Sequence, residues 1–420
     1  MRTEPTSVPP LEVRTYRTIE ELHALQPAWE DLLAAYPAAT TFSTPDWLIP
    51  WWRSFGKAQQ LMVAGFYDSA SRLCALAPLA VTSLRIAKTV PLRVLRFMGD
   101  GSKDSDNLDL PVRAGFEEAF AAALLALLES RRGLWDLCEL STLPPHSPGA
   151  KTLHQLLQKK TWATNSRQQP ASAIPLPATW EEYLAQLSGE DQKNLTRYSK
   201  RLERHYSVHI YRCEQESQLR RCLESLFELH QARWNSAGEP GSFGSRDRRD
   251  FYYELSCSLL RRNSLDLWVL ELNGAVAAVQ FGFRYGNRLF QLQEGNNPQH
   301  APDRVGFVLR GHVIRELIAQ GVRTYDFLGG ESGYKARWGA KGGYYINLRF
   351  ARPFTLGAAY LQSSLQARAA KDWLRRILPQ PVWRNLHNLN VSLHRASGKS
   401  SRDRAGSPST LVGKAKDNAE

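Results

Sequence analysis

This 420-residue chain has few cysteines and fewer methionines, and the cysteines form no pattern. Cys74, Cys138, Cys213, Cys222 and Cys257 are odd in number, scattered, and make no CxxC pair. That excludes a disulfide framework or a cysteine-based zinc site, and it fits a reducing compartment. Long apolar runs are missing too. The longest, Ala119 to Leu128, falls well short of the ~18 residues that span a bilayer. The opening stretch MRTEPTSVPPLEV lacks the apolar core of a secretory signal. No Walker A, GxGxxG, HExxH or GxSxG motif occurs, which removes the usual nucleotide-binding, zinc-protease and serine-hydrolase readings.

What is present is an ordinary globular balance, with 43% hydrophobic and 23% charged residues. That is enough apolar material for a sizeable core, so a wholly disordered chain is excluded. At ~150 residues per domain, the length implies two domains and a tail. The net charge of +13 is uneven: residues 361–420 hold 11 Lys and Arg against 4 Asp and Glu, more than half of the excess. A basic chain suits nucleic acid, an anionic membrane or phosphorylated substrates. Here the folded body is only mildly basic.

Periodicity places the elements. Glu20–Tyr36 reads as a helix, with Leu22, Leu25, Trp29 and Leu32 at three- and four-residue spacing. Leu61–Tyr67 and Leu73–Val81 read as strands joined by a turn at Asp68–Ser71. Phe116–Ser130 is a helix closed by Gly133, followed by a strand over Leu134–Leu140. Gln168–Pro177 reads as a linker. Beyond it come helices over Trp180–Arg204 and Leu219–Trp234, and a hairpin of Leu267–Leu272 and Ala275–Tyr285 about Asn273-Gly274. A strand over Arg288–Gln293, a helix over Gly306–Gln320 and a strand over Val322–Leu328 complete the series. The two halves run in the same order. Trp135-Asp136-Leu137 matches Tyr325-Asp326-Phe327, and Phe97–Gly101 matches Leu292–Asn296, so the sequence predicts a duplicated α/β unit.

Four segments carry candidate chemistry. Glu294 stands where a strand enters a Gly/Asn loop, a position suited to proton acceptance; the structural alternative is a solvated loop carboxylate. Asp303-Arg304-Val305-Gly306 opens a helix, where free N–H groups and the positive helix end favour an anion; the alternative is Asp303 as an N-cap. Tyr325–Gly339 gathers four glycines with Asp326, Tyr334, Lys335 and Trp338, which bring a carboxylate, a proton donor, a cation and a flat ring. Its alternative is a corner in which Lys335 pairs Asp326. His230, Arg233 and Trp234 share a helical face before a Gly-Pro loop, although a lone helical His is usually structural.

The run YDFLGGESGYKARWG, preceded by LHQARW and by the strand–NG–strand pattern, resembles the CelD/BcsL-type acetyltransferases of the GNAT superfamily. Thr41–Trp47 followed by Trp51-Trp52 resembles the N-terminal signature of the same family, which is similar in turn to the Fem-type aminoacyl ligases. The resemblance covers about residues 12–352. It implies an α/β fold of tandem GNAT-like units, mixed sheets flanked by helices, with a basic helical tail. The implied division is 1–11 disordered, 12–166 an N-terminal GNAT-like domain, 167–355 the acetyltransferase domain, 356–397 a basic helical extension and 398–420 a disordered tail.

The resemblance also implies acyl transfer from acetyl-CoA or another acyl-CoA to an amine or hydroxyl, in cellulose, exopolysaccharide or envelope synthesis. On that reading Arg304, Val305 and Gly306 cradle the donor, Glu294 or Asp326 is the base, and Tyr334 protonates the leaving thiolate. His230, Arg233, Trp234, Lys335 and Trp338 hold a small-molecule or saccharide acceptor, and no metal is needed. The first half, lacking a counterpart to Tyr334-Lys335, is expected to be a scaffold. Two alternatives differ in class: a non-catalytic accessory factor for polysaccharide assembly, and Fem-type transfer from aminoacyl-tRNA, which the basic segment Lys193–Arg204 suits. Otherwise nucleic acid is not an expected partner. A cytoplasmic place is expected. Leu361, Leu365, Trp373, Ile377 and Leu378 form one side of a tail helix, amid Arg368, Lys371, Arg375 and Arg376. That helix either packs on its own domain or touches the anionic inner face of the membrane, beside a polysaccharide synthase.

Overall fold

The computed structural model describes residues 10–86, 89–102, 104–236, 241–330 and 333–377. The chain begins with β1 (Glu12–Tyr16), α1 (Ile19–Ala34), α2 (Pro45–Phe55), β2 (Gln60–Tyr67), β3 (Leu73–Ile86), β4 (Val90–Phe97), α3 (Glu117–Ser130), β5 (Leu137–Leu143) and α4 (Pro148–Gln158). It continues through β6 (Ala163–Pro175), α5 (Trp180–Ala185), α6 (Gly189–His205), β7 (Val208–Arg212), α7 (Glu216–Ser236) and α8 (Arg246–Arg261). The rest is β8 (Leu265–Leu272), β9 (Ala275–Tyr285), β10 (Arg288–Asn296), α9 (Val305–Ala319), β11 (Thr324–Gly329), α10 (Gly333–Arg337), β12 (Lys341–Ala351) and α11 (Leu356–Ile377).

All twelve strands form one sheet, in the order β1-β2-β3-β4-β5-β12-β6-β11-β10-β9-β8-β7. Each arm lays down four antiparallel strands and then a parallel fifth: β4 with β5, and β10 with β11. The sixth strand of each arm is exchanged. β6 leaves its own arm to pair with β11, and β12 returns to pair with β5. Between them, β6 and β12 run an unbroken antiparallel ladder from Lys341↔Ala173 to Ala351↔Ala163. The segment read as a linker is therefore a strand at the centre of the sheet, and the expected boundary at 166/167 falls inside it. Its alternation of polar and small residues carried no apolar signal, because both neighbours on its ladder are distant in sequence.

Other expectations sharpen in the same way. Asn273 and Gly274 both take positive φ, as the predicted two-residue hairpin turn requires. The helix expected over Trp180–Arg204 is two helices, parted at Leu187-Ser188, where Ser188 caps α6 by accepting from the Asp191 N–H. The matched triplets are not equivalent positions. β5 and β11 each carry one extra residue against their antiparallel neighbour, between Leu140 and Leu143 and between Asp326 and Gly329. Aligning those bulges equates Asp326 with Leu140, whereas Asp136 precedes β5 and pairs with Arg93.

The N-terminal signature has a packing role. Thr44 caps α2 by accepting from the Trp47 N–H, and Pro45 opens the helix. This turn drives Phe42 and Trp47 into the core, against the rings of Phe283, Phe290 and Phe251 of the second arm at 5.2–5.6 Å. A second core lies under α5, α6 and α9, around Trp268, Leu309, Val313, Tyr325 and Trp338. Leu361 and Leu365 of α11 pack on Leu92, Val94 and Leu137, which favours the core-facing reading for the start of the tail helix, while Trp373 is exposed. The side chains of Lys371, Arg375, Arg376 and Ile377, and everything from Leu378 onward, lie outside the described residues, as do residues 1–9 of the expected disordered N-terminus.

A loop of four aspartates, Gly99–Asp109, joins the arms. Asp104 pairs with Arg248 at 3.4 Å and accepts from the Tyr252 hydroxyl at 3.0 Å. Asp109, 1% exposed, accepts from the hydroxyls of Tyr36 and Ser147 and from the Leu110 N–H. Burial pushes its carboxyl up to about 6, against the pull of those donors. An acid raised above its unfolded value near 4 contributes stability below that value, and the contribution is lost as pH rises through about 6. Asp109→Asn should therefore gain about 2 kcal/mol relative to the parent between pH 4.5 and 7.5, read from urea midpoints at each pH.

The exchanged strands make a second expectation. Removing residues 1–165 takes away β5 and leaves the β12 edge bare. A fragment 170–355 should be insoluble on expression, and a soluble, cooperatively unfolding fragment would show that the arms fold independently.

Candidate functional site

β10 and β11 share only three parallel pairs, from Arg288↔Thr324 to Phe290↔Asp326. Directly beyond them β10 bulges between Gln291 and Gln293 and follows β9 to Asn296, while β11 bulges onto β6. The two strands part there, and the parting is where the second arm gathers its polar side chains.

On the α9 side stands Glu294, opposite Gln280 in the ladder. Its carboxylate pairs with Arg310, which is 5% exposed in an otherwise largely apolar helix. Arg310 also lies 5.4–5.5 Å from the ring centroids of Phe327, Tyr334 and Trp338. Burial works against its charge, but Glu294 and the phenols of Tyr325 and Tyr334 outweigh it, so the guanidinium is held above the ordinary arginine value. Tyr325 stands beside this pair, and its hydroxyl donates to Gln280 Oε1 at 3.1 Å. Tyr334, 46% exposed, stands over Arg310 at the mouth of this network.

Asp326 is elsewhere. It neighbours Tyr325 along the strand and so faces the other side of the sheet, opposite Phe290. Burial raises its carboxyl above the usual range, opposed by the Leu328 N–H at 2.8 Å and by Arg288 at 3.4 Å. The two expected bases are thus separated by the sheet, and Glu294 is the one that shares a face with Tyr334.

The remaining residues sort by burial. Lys335, 7% exposed, directs Nζ at the carbonyls of Phe327, Gly329 and Gly330 at 3.3, 3.1 and 2.8 Å. Its three protons are spent on backbone, so neither a direct grip on an acceptor anion nor the expected pairing with Asp326 describes it. Burial lowers its ammonium below the usual lysine value, with Asp106 and Asp326 opposing. Trp338 is 3% exposed and packs 4.6 Å from the Phe307 ring, so it is core rather than a stacking surface. His230 is buried against Phe243, and its Nε2 accepts from the Trp234 indole at 3.0 Å. α7 presses on β10 at Gly295, on the face away from Glu294, where a Cβ would come within 2.8 Å of Leu229 and 2.9 Å of the His230 nitrogen, so the sheet separates His230 from the Glu294 network. The Arg233 side chain lies outside the described residues.

At the start of α9, Arg304 takes a left-handed conformation, and Val305 and Gly306 supply the first helical N–H groups. The Asn296 amide lies against Gly306. Asp303 is not the N-cap expected. It pairs with Arg201 and accepts from Tyr206 and His300, all at 3.1–3.2 Å. Although burial works the other way, these contacts hold its carboxyl below the usual value. Sequence reasoning missed Arg310 and Gln280; the signal for Arg310 was a lone charge on the apolar face of a helix. Among the described residues no group of three or more His, Cys, Asp or Glu is placed to hold a metal, and no helix is long and apolar enough to cross a membrane.

Residues 190–336 match the family model described as an acetyltransferase (GNAT) domain. No curated protein matches the chain in sequence. Among solved structures, FemX is 11% identical with a TM-score of 0.56, over 84% of this chain and 99% of that one. L-PGS from Bacillus licheniformis is 12% identical with a TM-score of 0.47, over 80% and 94%. A tandem GNAT protein from the clavulanic acid biosynthesis pathway is 14% identical with a TM-score of 0.41, over 81% and 98%. The chain has a GNAT acyltransferase-like fold, and the matched segment contains Glu294, Arg310 and Tyr334.

The Glu294–Arg310 pair should behave as a buried unit. Arg310→Leu should cost about 3 kcal/mol by stranding the carboxylate, and adding Glu294→Leu should recover part of that loss. Urea denaturation of the two single variants and the double variant measures the coupling.

Proposed function

We propose that the chain is an acyltransferase, moving an acyl group from acetyl-CoA or another acyl-CoA to an amine or hydroxyl acceptor. The observation that carries this is the parting of β10 and β11, with Glu294 and the exposed Tyr334 on one side of it inside the GNAT-matched segment. Glu294 takes the proton of the attacking amine or hydroxyl as that atom bonds to the thioester carbonyl. The C–S bond then breaks, and the Tyr334 hydroxyl protonates the departing thiolate. Arg310 keeps Glu294 and Tyr334 together rather than touching the acyl group. Arg304, Val305 and Gly306 meet the anionic part of the donor. The Asp303–Arg201 pair beside them supplies no spare positive charge, so the cradle relies on the backbone N–H groups at the helix start.

In this proposal the two arms are tandem GNAT-like units, and the acceptor is a small molecule or saccharide of envelope or exopolysaccharide synthesis. A second reading has one observation in its favour: Lys193, Arg197, Lys200 and Arg204 are all exposed on α6, a surface suited to the phosphates of an aminoacyl-tRNA donor.

A thioester-cleavage screen over several acyl-CoAs and saccharide acceptors tests the main reading, with calorimetric titration of each donor beside it. No donor bound and none cleaved would sink it. Tyr334→Phe should cut turnover by about 10²-fold while leaving the melting temperature in place, because the side chain is exposed. Lys335→Ala should instead lower the melting temperature, because it strands three carbonyls.

A further inference from the structure

Tyr334 stands on α10, a few residues past the end of β11, and both arms grip that end. Leu328 is held at φ 62, a left-handed conformation that costs an L side chain energy, with its N–H on Asp326 Oδ1. Gly329 follows. Its N–H donates to Asp106 Oδ2 at 2.9 Å, and its carbonyl accepts from Lys335 Nζ at 3.1 Å. Any side chain here would meet Asp106 Oδ2 and Gln169 Nε2, each 3.2 Å from an added Cβ. The Gly330 N–H goes to the Pro170 carbonyl at 2.9 Å.

Asp106 belongs to the first arm, in the aspartate loop between β4 and α3, yet that loop is anchored on the second. Asp104 is tied to Arg248 and Tyr252, and Asn107 donates to the Tyr345 hydroxyl at 3.0 Å. The carboxylate thus reaches Gly329 at a fixed position.

We propose that Asp106 is a positioning residue for the second arm's site: its carboxylate and the Lys335 ammonium hold Gly329 from opposite ends and thereby set where Tyr334 stands over Arg310. The proposal rests on the acyl-transfer reading. A neutral amide would satisfy the same N–H without the cost of burying a charge beside Asp326 and Asp100. What the charge adds is a stronger bond to the N–H and a pull on Lys335. Burial, with Asp326 and Asp100 adding to it, pushes Asp106 up to about 6 against the Gly329 N–H and Lys335. Facing it are Asp326 on β11, with Arg288 of β10 behind, Lys335 on α10, Tyr345 on β12 and Asp100 on its own loop. As pH falls through about 6 the anion is lost and the hold on Gly329 loosens, which gives turnover an acid limb.

The test uses the full chain with Asp106→Ala and Asp106→Asn. Asp106→Ala should lower kcat by about tenfold or more at near-constant KM for the donor, since small misplacements of a reacting group are costly. Hydrogen exchange across residues 327–338 should quicken in the same variant. Asp106→Asn keeps the acceptor oxygen, so it should recover part of the rate at neutral pH and lose the acid limb near pH 6. Unchanged exchange over 327–338 in Asp106→Ala rejects the proposal, as does an unchanged kcat. If Asp106→Ala fails to fold, the Asp106→Asn pH profile decides: an acid limb identical to the parent's overturns the inference. A parent that cleaves no acyl-CoA refutes the acyl-transfer reading alone, because the exchange comparison still judges the hold on Gly329.

Discussion

The ladder between β6 and β12 is the constraint on which the rest of the structure depends. Each arm supplies five strands of its own and borrows a sixth, so neither sheet half is closed without the other chain segment. Buried backbone groups must be paired, and here the pairing runs through residues nearly 180 positions apart. The register also fixes which side chains share a face. Gln169 lies opposite Tyr345, and Asn347 reaches both the Gln169 side chain and the Thr142 N–H. A slip of one residue would turn Tyr345 and Leu348 out of the core and break both side-chain bridges at once.

From that seam follows the placement of charge. Glu294–Arg310 and Asp326–Arg288 are two ion pairs at the same parting of strands, but the pleat puts them on opposite faces. Burying either carboxylate without its guanidinium would be costly, so each arginine is part of the fold before it is part of any chemistry. On the face that also receives Tyr334, the rings of Phe327, Tyr334 and Trp338 surround the guanidinium of the pair. There an ion pair is screened less by water than an exposed pair is, which suits charge development in the proposed acyl transfer.

The helices and hairpins of both arms were legible because their periodicity is local: Leu22, Leu25, Trp29 and Leu32 announce α1, and Asn273-Gly274 announces its turn. The exchanged strands were not. β6 reads as ATNSRQQPASAIP, with polar residues and two prolines, because its core contacts come from β11 and β12 rather than from its own sequence pattern. The site divided along the same line. Glu294 was visible at a strand end and Tyr334 in a run dense with unusual residues, and the geometry brings both to Arg310. Lys335 and Trp338 were visible for the same reason, yet their burial makes them supports. Asp106 was hidden, since only the fold brings a first-arm loop to Gly329.

The two arms part their parallel strands in the same way, so what fills each parting decides which one is suited to chemistry. Beyond Arg96↔Glu139 the first arm places Arg96 and Arg349 on one glutamate, and Ser141 donates to Asp100 at 2.6 Å. These charges satisfy one another, and the loop that follows is committed to holding the second arm. In the second arm the corresponding parting ends in Tyr334, a half-exposed side chain, and in a carboxylate still 22% exposed. Both partings carry a left-handed residue in the bulge of the parallel strand, Thr142 and Leu328. At Thr142 the conformation is secured by its own N–H, which donates to Asn347 Oδ1. At Leu328 it is secured by Asp326, and the next two residues by Asp106, Lys335 and Pro170. A strained segment persists only where its surroundings over-determine it. The heavier hold on the second arm lies just before α10, the helix that carries the exposed Tyr334, and the first arm, with no such residue to place, manages with less.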